Sequence, residues 1–128
     1  MKYVLLIYSH PDPWGHPTIA HTPEGSALPT EQREEMDRAF DALLAELSNS
    51  GELVTAAALA DPGSATTYRW GSQEPIATDG PFAEAKEVLA GFFLIDCDSR
   101  HRAEEIAARF AAPGDTVELR PAMSAGDD

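Results

Sequence analysis

Residues 3–8, Tyr-Val-Leu-Leu-Ile-Tyr, form an uninterrupted apolar run at the start of the chain. A run of this kind is typical of a central strand covered on both faces, because a half-exposed strand alternates apolar and polar residues. It is also too short for the core of a signal peptide or for a membrane span. The sequence therefore predicts a central β-strand and a cytoplasmic protein.

Helices and further strands follow this run. Apolar residues at helical spacing, among them Phe40 and Leu47, predict a helix with Thr30 as its N-cap and a stop at Asn49-Ser50-Gly51. Ser99 is the predicted cap of a second helix, in which Glu105 pairs with Arg109. Predicted strands cover residues 53–59, 91–96 and 117–120, and residues 66–70 and 74–78 form a predicted hairpin.

This order of elements is the split βαβ plan of a ferredoxin-like α+β domain with an antiparallel sheet. Both helices are then expected on one face of the sheet, which leaves the other face apolar and uncovered. A single domain rarely exposes so large an apolar patch, so the pattern predicts a homodimer joined through its sheet faces. One domain is predicted over residues 1–122, with an extended loop at 9–28 and a flexible tail at 123–128.

Composition limits the function classes. The chain has 128 residues, with 9 basic residues against 22 acidic ones and a formal net charge of −13. Such a charge opposes binding to nucleic acid and to anionic membranes, and the length leaves no room for a separate cofactor domain. Cys97 is the single cysteine, so an intrachain disulfide is impossible and the thiol is expected to be a small buried group.

The stretch at 78–87, Thr-Asp-Gly-Pro-Phe-Ala-Glu-Ala-Lys-Glu, combines a carboxylate with the two residues that most restrict the backbone. Asp79 can accept hydrogen bonds from nearby backbone amides, Gly80 can adopt a positive φ, and Pro81 fixes its own φ. Two interpretations stay open for Asp79, which is either an ordinary turn residue or a functional carboxylate.

The chain resembles the YCII-related proteins of the DGPF subgroup along nearly its whole length. The matching pieces, in order, are residues 1–8, the helix that ends in Ser50-Gly51-Glu52-Leu53, and residues 65–69, 78–87, 91–95 and 117–121. The resemblance implies a dimeric α+β barrel, and a pocket lined by the aspartate that corresponds to Asp79. In some family members that aspartate is paired with a histidine on the first helix. Phe40 stands at that position here, so a His–Asp mechanism does not transfer.

Asp79 is the predicted base of the site, with His10 or Lys86 as its partner. His10 directly follows the first strand, and Lys86 can hold Asp79 ionised or receive an anionic substrate. Each also has a simpler interpretation as a solvated surface residue. The predicted ligand-binding residues are the aromatic Tyr8, Trp14 and Phe82, together with Arg69, whose guanidinium is suited to a carboxylate.

His10, His16 and His21 raise the question of a metal site in the 9–28 loop. Three imidazoles can ligate zinc, but their spacing matches no tight ligand pattern and the loop is rich in proline, so no metal is predicted. Cofactors are not predicted either, because the chain has no Gly-x-Gly-x-x-Gly motif and no P-loop.

Two functions are consistent with these features. The first is a small-molecule-binding protein without an assigned reaction, an accessory or sensor module linked to an extracytoplasmic-function sigma factor, as the DGPF resemblance implies. The second is a cofactor-independent acid–base enzyme (a lyase, isomerase or hydrolase) that uses Asp79 on a small carboxylated or cyclic metabolite. The replacement of the family histidine by Phe40 favours binding, whereas the histidine-rich loop favours chemistry.

Overall fold

A computed structural model describes residues 1–81 and 86–124. It is a mixed α+β structure with antiparallel sheets. The strands are β1 (Lys2–Ser9), β2 (Leu53–Ala58), β3 (Thr66–Trp70), β4 (Pro75–Asp79), β5 (Val88–Asp96) and β6 (Thr116–Pro121). The helices are α1 (Pro23–Ser26), α2 (Thr30–Ser50) and α3 (Arg100–Phe110), and short 3-10 turns lie at Thr18–Ala20 and Pro62–Ser64.

The main sheet has the strand order β2-β5-β1-β6, and every neighbouring pair is antiparallel. The predicted central position of the first strand is confirmed, because β1 pairs with β5 on one side and with β6 on the other. The predicted hairpin is also confirmed, but β3 and β4 form a separate two-stranded sheet. Within the described residues, no helix is long and apolar enough to cross a membrane.

The core lies between the helices and one face of the main sheet. Leu5 and Ile95 on the sheet and Leu43, Leu47 and Ile106 on the helices are all at most 1% exposed. Because successive strand residues point to opposite faces, Val4 and Leu6 point away from this core, and both are only partly buried. Within the described residues, helices cover one face of β1 only, so the covering of its other face stays a prediction that depends on the dimer.

The helix ends follow their sequence signals with one exception. Gly51 ends α2 with a φ of 80°, and the Ser99 side chain accepts a hydrogen bond from the Arg102 amide at the start of α3. At the start of α2, however, the N-cap is Pro29, without a side-chain capping bond, so the prediction of Thr30 as N-cap is wrong by one residue.

The predicted extended loop at 9–28 includes the 3-10 turn at Thr18–Ala20 and the short helix α1. Thr22 holds it in place: the buried Thr22 hydroxyl accepts a hydrogen bond from the Gly25 amide and donates one to the Pro113 carbonyl. This pair of bonds ties the loop to the turn between α3 and β6. The loop is thus fixed to the domain at a point remote from it in sequence.

Arg102 on α3 links three elements through carboxylates. It donates to both oxygens of Glu52 before β2 at 2.9 Å, to Glu46 on α2 at 3.1 Å and to Glu105 on its own helix. Arg109 also donates to Glu46, at 2.7 and 3.2 Å. The predicted Glu105–Arg109 ion pair is therefore wrong. Arg109 pairs instead with Glu46 on α2, and Glu105 pairs with Arg102 on the preceding turn of α3.

These contacts lower the pKa values of two glutamates. Arg109 first, and then Arg102, hold the pKa of Glu46 below its ordinary value through hydrogen bonds, and the Arg102 hydrogen bond does the same for Glu52. A lowered pKa in the folded state favours folding above the ordinary carboxyl pKa. That contribution is lost as the pH falls through the folded-state pKa.

We predict that Arg102→Met lowers the free energy of unfolding by about 2 kcal/mol at neutral pH, because Glu52 loses a two-bond partner in a partly buried setting. The loss is expected to shrink as the pH falls through the lowered folded-state pKa values of Glu46 and Glu52, below which these glutamates are protonated in both states. Urea unfolding across this pH range measures it. Arg100→Met is the control, since the exposed Arg100–Glu104 pair contributes little. Equal losses for the two variants would contradict the prediction.

Candidate functional site

A cavity of about 700 Å³ lies between α2, the main sheet and the end of α3. We call it the helix–sheet cavity. Small residues of the sheet form its floor, residues 16–19 of the 9–28 loop lie at its edge, and residues 109–112 and 115 complete its lining. Its size is typical of a pocket for a small organic molecule.

Three phenylalanines form one wall of this cavity, which we call the aromatic wall. The rings of Phe93 and Phe110 stack at 4.3 Å between centroids, and Phe40 meets them edge-on at 6.3 Å and 5.8 Å. Phe40 comes from α2, Phe93 from β5 and Phe110 from α3. Each ring thus belongs to a different element, so the wall depends on the packing of the whole helix layer on the sheet. It offers apolar and aromatic contact area to a ring-bearing ligand.

Asp115 is the most unusual polar residue of the lining. Its Oδ2 accepts a hydrogen bond from the Thr18 hydroxyl at 2.5 Å, which joins the loop to the residue just before β6. Its Oδ1 is shielded from solvent and has no hydrogen-bond partner among the described residues. An unpaired acceptor shielded from water is costly, by about 1–3 kcal/mol, so this oxygen marks a position where a donor is favourable.

His16 also lines the cavity. Its Nε2 lies 2.8 Å from the carbonyl oxygen of Leu59, so this nitrogen carries the hydrogen of that bond. Trp14 donates its indole N–H to the same carbonyl at 3.3 Å, and the two rings meet edge-on. These bonds hold the loop against the end of β2, at the edge of the cavity.

Asp37 and Arg109 complete the charged lining. Asp37 is exposed on α2, whereas the Arg109 guanidinium is bonded to Glu46. The positive charge of Arg109 is thus balanced by a carboxylate that is not part of the cavity lining.

Among the described residues, no hydrogen bond or ion pair links the predicted catalytic residues Asp79, His10 and Lys86 to one another. Asp79 ends β4 with an exposed side chain, His10 lies 3.4 Å from Glu24 within the loop, and Lys86 is exposed. None of the three lines the helix–sheet cavity, and no hydrogen bond joins the Asp79 carboxylate to another described residue. The predicted positive φ of Gly80 is confirmed at 96°. The catalytic role of Asp79, His10 and Lys86 stays a prediction.

The predicted ligand-binding residues lie in different places. Tyr8 donates its hydroxyl to Glu118 at 3.1 Å on the sheet face that points away from the core, and desolvation, followed by the Glu118 contact, raises the pKa of Tyr8. Trp14 lies in the loop against the His16 ring but is not part of the cavity lining, and Arg69 is exposed on β3. Phe82 is outside the described residues. The predicted binding role of these four residues is untested.

Sequence reasoning missed the lining residues Thr18, Asp37 and Asp115, and it considered His16 only as a metal ligand. The signal for Thr18 was weak, since it lies in a proline-rich loop, and its partner Asp115 is 97 positions away. In residues 1–81 and 86–124, no three side chains of His, Cys, Asp or Glu are grouped so that they could hold a metal ion.

Comparison with known proteins identifies the family. The model of the YCII-related domain matches residues 1–123, so the chain belongs to the YCII-related family. It is also similar to an uncharacterized protein of Rhizobium meliloti (strain 1021), with 40% identity over 82 residues. That match covers 64% of this chain and 66% of the relative, so the chain spans slightly less than two thirds of the relative's length.

For Asp79 we predict that Asp79→Asn changes the free energy of unfolding by less than about 0.5 kcal/mol, because the exposed carboxylate has no described bond to lose. Thermal unfolding of both proteins measures this. A loss near 2 kcal/mol would instead identify Asp79 as a residue that stabilises the turn through backbone hydrogen bonds. A loss of ligand binding or turnover at unchanged stability would support its predicted place in a site.

Proposed function

We propose that the protein binds a small, ring-bearing organic molecule in the helix–sheet cavity. The observation that carries this proposal is the cavity of about 700 Å³ with an aromatic wall on one side and a few polar groups at its edge. Pockets that bind organic molecules combine mostly apolar walls with a small number of placed polar groups. No reaction is part of the proposal.

Phe40 is the residue that favours binding over acid–base chemistry. It occupies the helix position where the family resemblance places a histidine, and its ring forms part of the aromatic wall. A phenyl ring cannot accept or donate a proton, but it contributes apolar contact area. The side chain at this position therefore supplies a binding surface, where the family resemblance implies a proton-transfer group.

Three further proposals extend the family membership. The Asp-Gly-Pro-Phe sequence at 79–82 supports assignment to the DGPF subgroup. The antiparallel order β2-β5-β1-β6, with a helix before β2 and another before β6, supports a ferredoxin-like arrangement. An accessory or sensor role in the cytoplasm, linked to an extracytoplasmic-function sigma factor, rests on the subgroup resemblance alone.

We also propose a homodimer, because one face of the main sheet has no helix layer. This open face consists of the side chains that alternate with the core residues on β1 and β5, and its apolar members are Val4, Leu6, Phe92 and Leu94. These four are absent from the core cluster, whereas their neighbours Leu5, Phe93 and Ile95 belong to it or pack on it. Pairing two such faces gives the dimeric α+β barrel that the resemblance implies.

An acid–base enzyme is the second candidate function. It is favoured by the exposed Asp79 carboxylate, which corresponds to the pocket aspartate that the family resemblance implies. It is weakened because neither Asp79 nor His10 is part of the lining of the helix–sheet cavity.

Filling the cavity tests the binding proposal. Ala56 lies on the cavity floor, so we predict that Ala56→Phe abolishes binding of naphthylethanol, a neutral ring-bearing probe, while the protein stays folded. Titration calorimetry measures binding. When the probe is present at 100 times its dissociation constant, the free energy of unfolding of the wild-type protein should rise by about 2.7 kcal/mol.

Ala42→Phe is the matched control, because Ala42 is exposed on α2 and is not part of the lining. It makes the same chemical change and is expected to leave probe binding intact. Undiminished binding to Ala56→Phe, or no binding to the wild-type protein, would refute the proposed site.

Phe92→Glu tests the dimer, since it places a charge at the centre of the open face. We expect the wild-type protein to have a dimeric mass in light scattering at micromolar concentration and the variant a monomeric one, because burying an unpaired carboxylate in an interface is unfavourable. Ala42→Glu on the helix surface is the control and should remain dimeric. A monomeric wild-type protein would end this proposal.

A further inference from the structure

We propose that the helix–sheet cavity selects ring-bearing amines over ring-bearing carboxylates, with Asp115 as the residue that receives the ammonium group. The inference rests on the proposed binding function and adds the charge class of the ligand. It reverses the expectation of a carboxylated metabolite that the sequence raised.

The charge balance of the lining is the first step. Among the described lining residues, the two carboxylates are those of Asp37 and Asp115, and the one guanidinium is that of Arg109. Arg109 makes hydrogen bonds at 2.7 and 3.2 Å to Glu46, which does not line the cavity, so its charge is already neutralised. The chain as a whole also carries a formal charge of −13. The cavity is therefore electrostatically favourable for a cation and unfavourable for an anion.

Asp115 is the lining residue against which the cationic group of the ligand is placed. Its Oδ2 accepts the Thr18 hydrogen bond, and its Oδ1 has no described partner and no solvent-exposed surface, so an ammonium group reaches Oδ1 only when a neighbouring side chain of the lining moves aside. A carboxylate in this state gains a strong, charge-assisted hydrogen bond when an ammonium group lies against it. A carboxylate ligand at the same place would be repelled and would leave the oxygen unpaired.

The side-chain donors His16, Thr18 and Arg109 of the described lining already have acceptors. His16 Nε2 is bonded to the Leu59 carbonyl, and the Thr18 hydroxyl is bonded to Asp115. An anion would have to break one of these bonds, or the Arg109–Glu46 pair, before it gained a partner. A cation breaks none of them.

The aromatic wall accounts for the ring. Phe93 and Phe110 stack, and Phe40 presents its edge to both, so a planar apolar group extends the cluster in the offset and edge-on geometries that aromatic rings prefer. The ligand that fits both features is a compact aromatic body with an amine on a short chain.

Three probes with the same ring test the inference: naphthylethylamine, naphthylethanol and naphthylacetate, which are cationic, neutral and anionic at neutral pH. Titration calorimetry with the full-length protein gives the three dissociation constants. We expect the amine to bind about 10-fold tighter than the alcohol, the effect of one charge-assisted hydrogen bond, and the acetate to bind more weakly than the alcohol.

Asp115→Asn separates the named residue from the general charge of the cavity. The amide can still accept the Thr18 hydrogen bond, so the fold is expected to hold. Amine affinity should fall about 10-fold, to the level of the alcohol, while alcohol affinity stays within about 2-fold. Asp37→Asn removes the same charge from an exposed position of the lining and should change amine affinity by less than about 3-fold, because solvent screens it.

The outcomes distinguish this inference from the proposed function. If the alcohol binds but the amine binds no tighter, or if the acetate binds best, the inference is wrong and the binding site stands. Equal losses in the two asparagine variants would overturn the role of Asp115. If no probe binds, both proposals fail together. Should Asp115→Asn not fold, the order of the three probes on the wild-type protein still decides.

Discussion

The packing of α2 and α3 on the same face of the main sheet is the constraint on which the rest of the structure depends. Leu5 and Ile95 on the sheet lie under Leu43, Leu47 and Ile106 of the helices, and all five are at most 1% exposed. Burying side chains of this size contributes about 1.5–3 kcal/mol each, far more than any exposed ion pair in the chain. In the part of the chain that the structure describes, the same packing leaves the other sheet face without a helix layer, so a single arrangement produces both the core and the open face.

The helix–sheet cavity is the part of this interface where the side chains are too small to fill it. The sheet contributes Ala56, Ala58, Ala90 and Gly91 there, in place of the leucines and isoleucines of the core. A Cβ at Gly91 would lie 2.6 Å from the Ala57 carbonyl oxygen, so the close approach of β2 and β5 requires glycine. Space for a ligand is thus a consequence of small residues at one end of an otherwise well-packed layer.

The sequence predicted the elements of the fold better than it predicted the site. Periodicity located α2, α3 and the strands, because hydrophobic spacing is a local property of the chain. Contacts between residues distant in sequence had no local signal. Thr18 donates a hydrogen bond to Asp115, and Arg109 pairs with Glu46 on another helix and not with Glu105, although Glu105 lies at the favourable helical spacing. The position of Phe40 was identified as significant from the family resemblance, but its meeting with Phe93 and Phe110 depends on three elements coming together.

Phe40 and Asp115 are the two residues on which the proposal of a binding function, as opposed to proton transfer, depends. A catalytic dyad needs two titratable groups in contact, one to orient or charge the other. Here the helix position holds an aromatic ring, the Asp115 carboxylate is bonded to a threonine hydroxyl, which is not a base at neutral pH, and Asp37 is exposed. The lining thus supplies shape, apolar area and two carboxylates, and these are properties that determine which ligand a pocket retains.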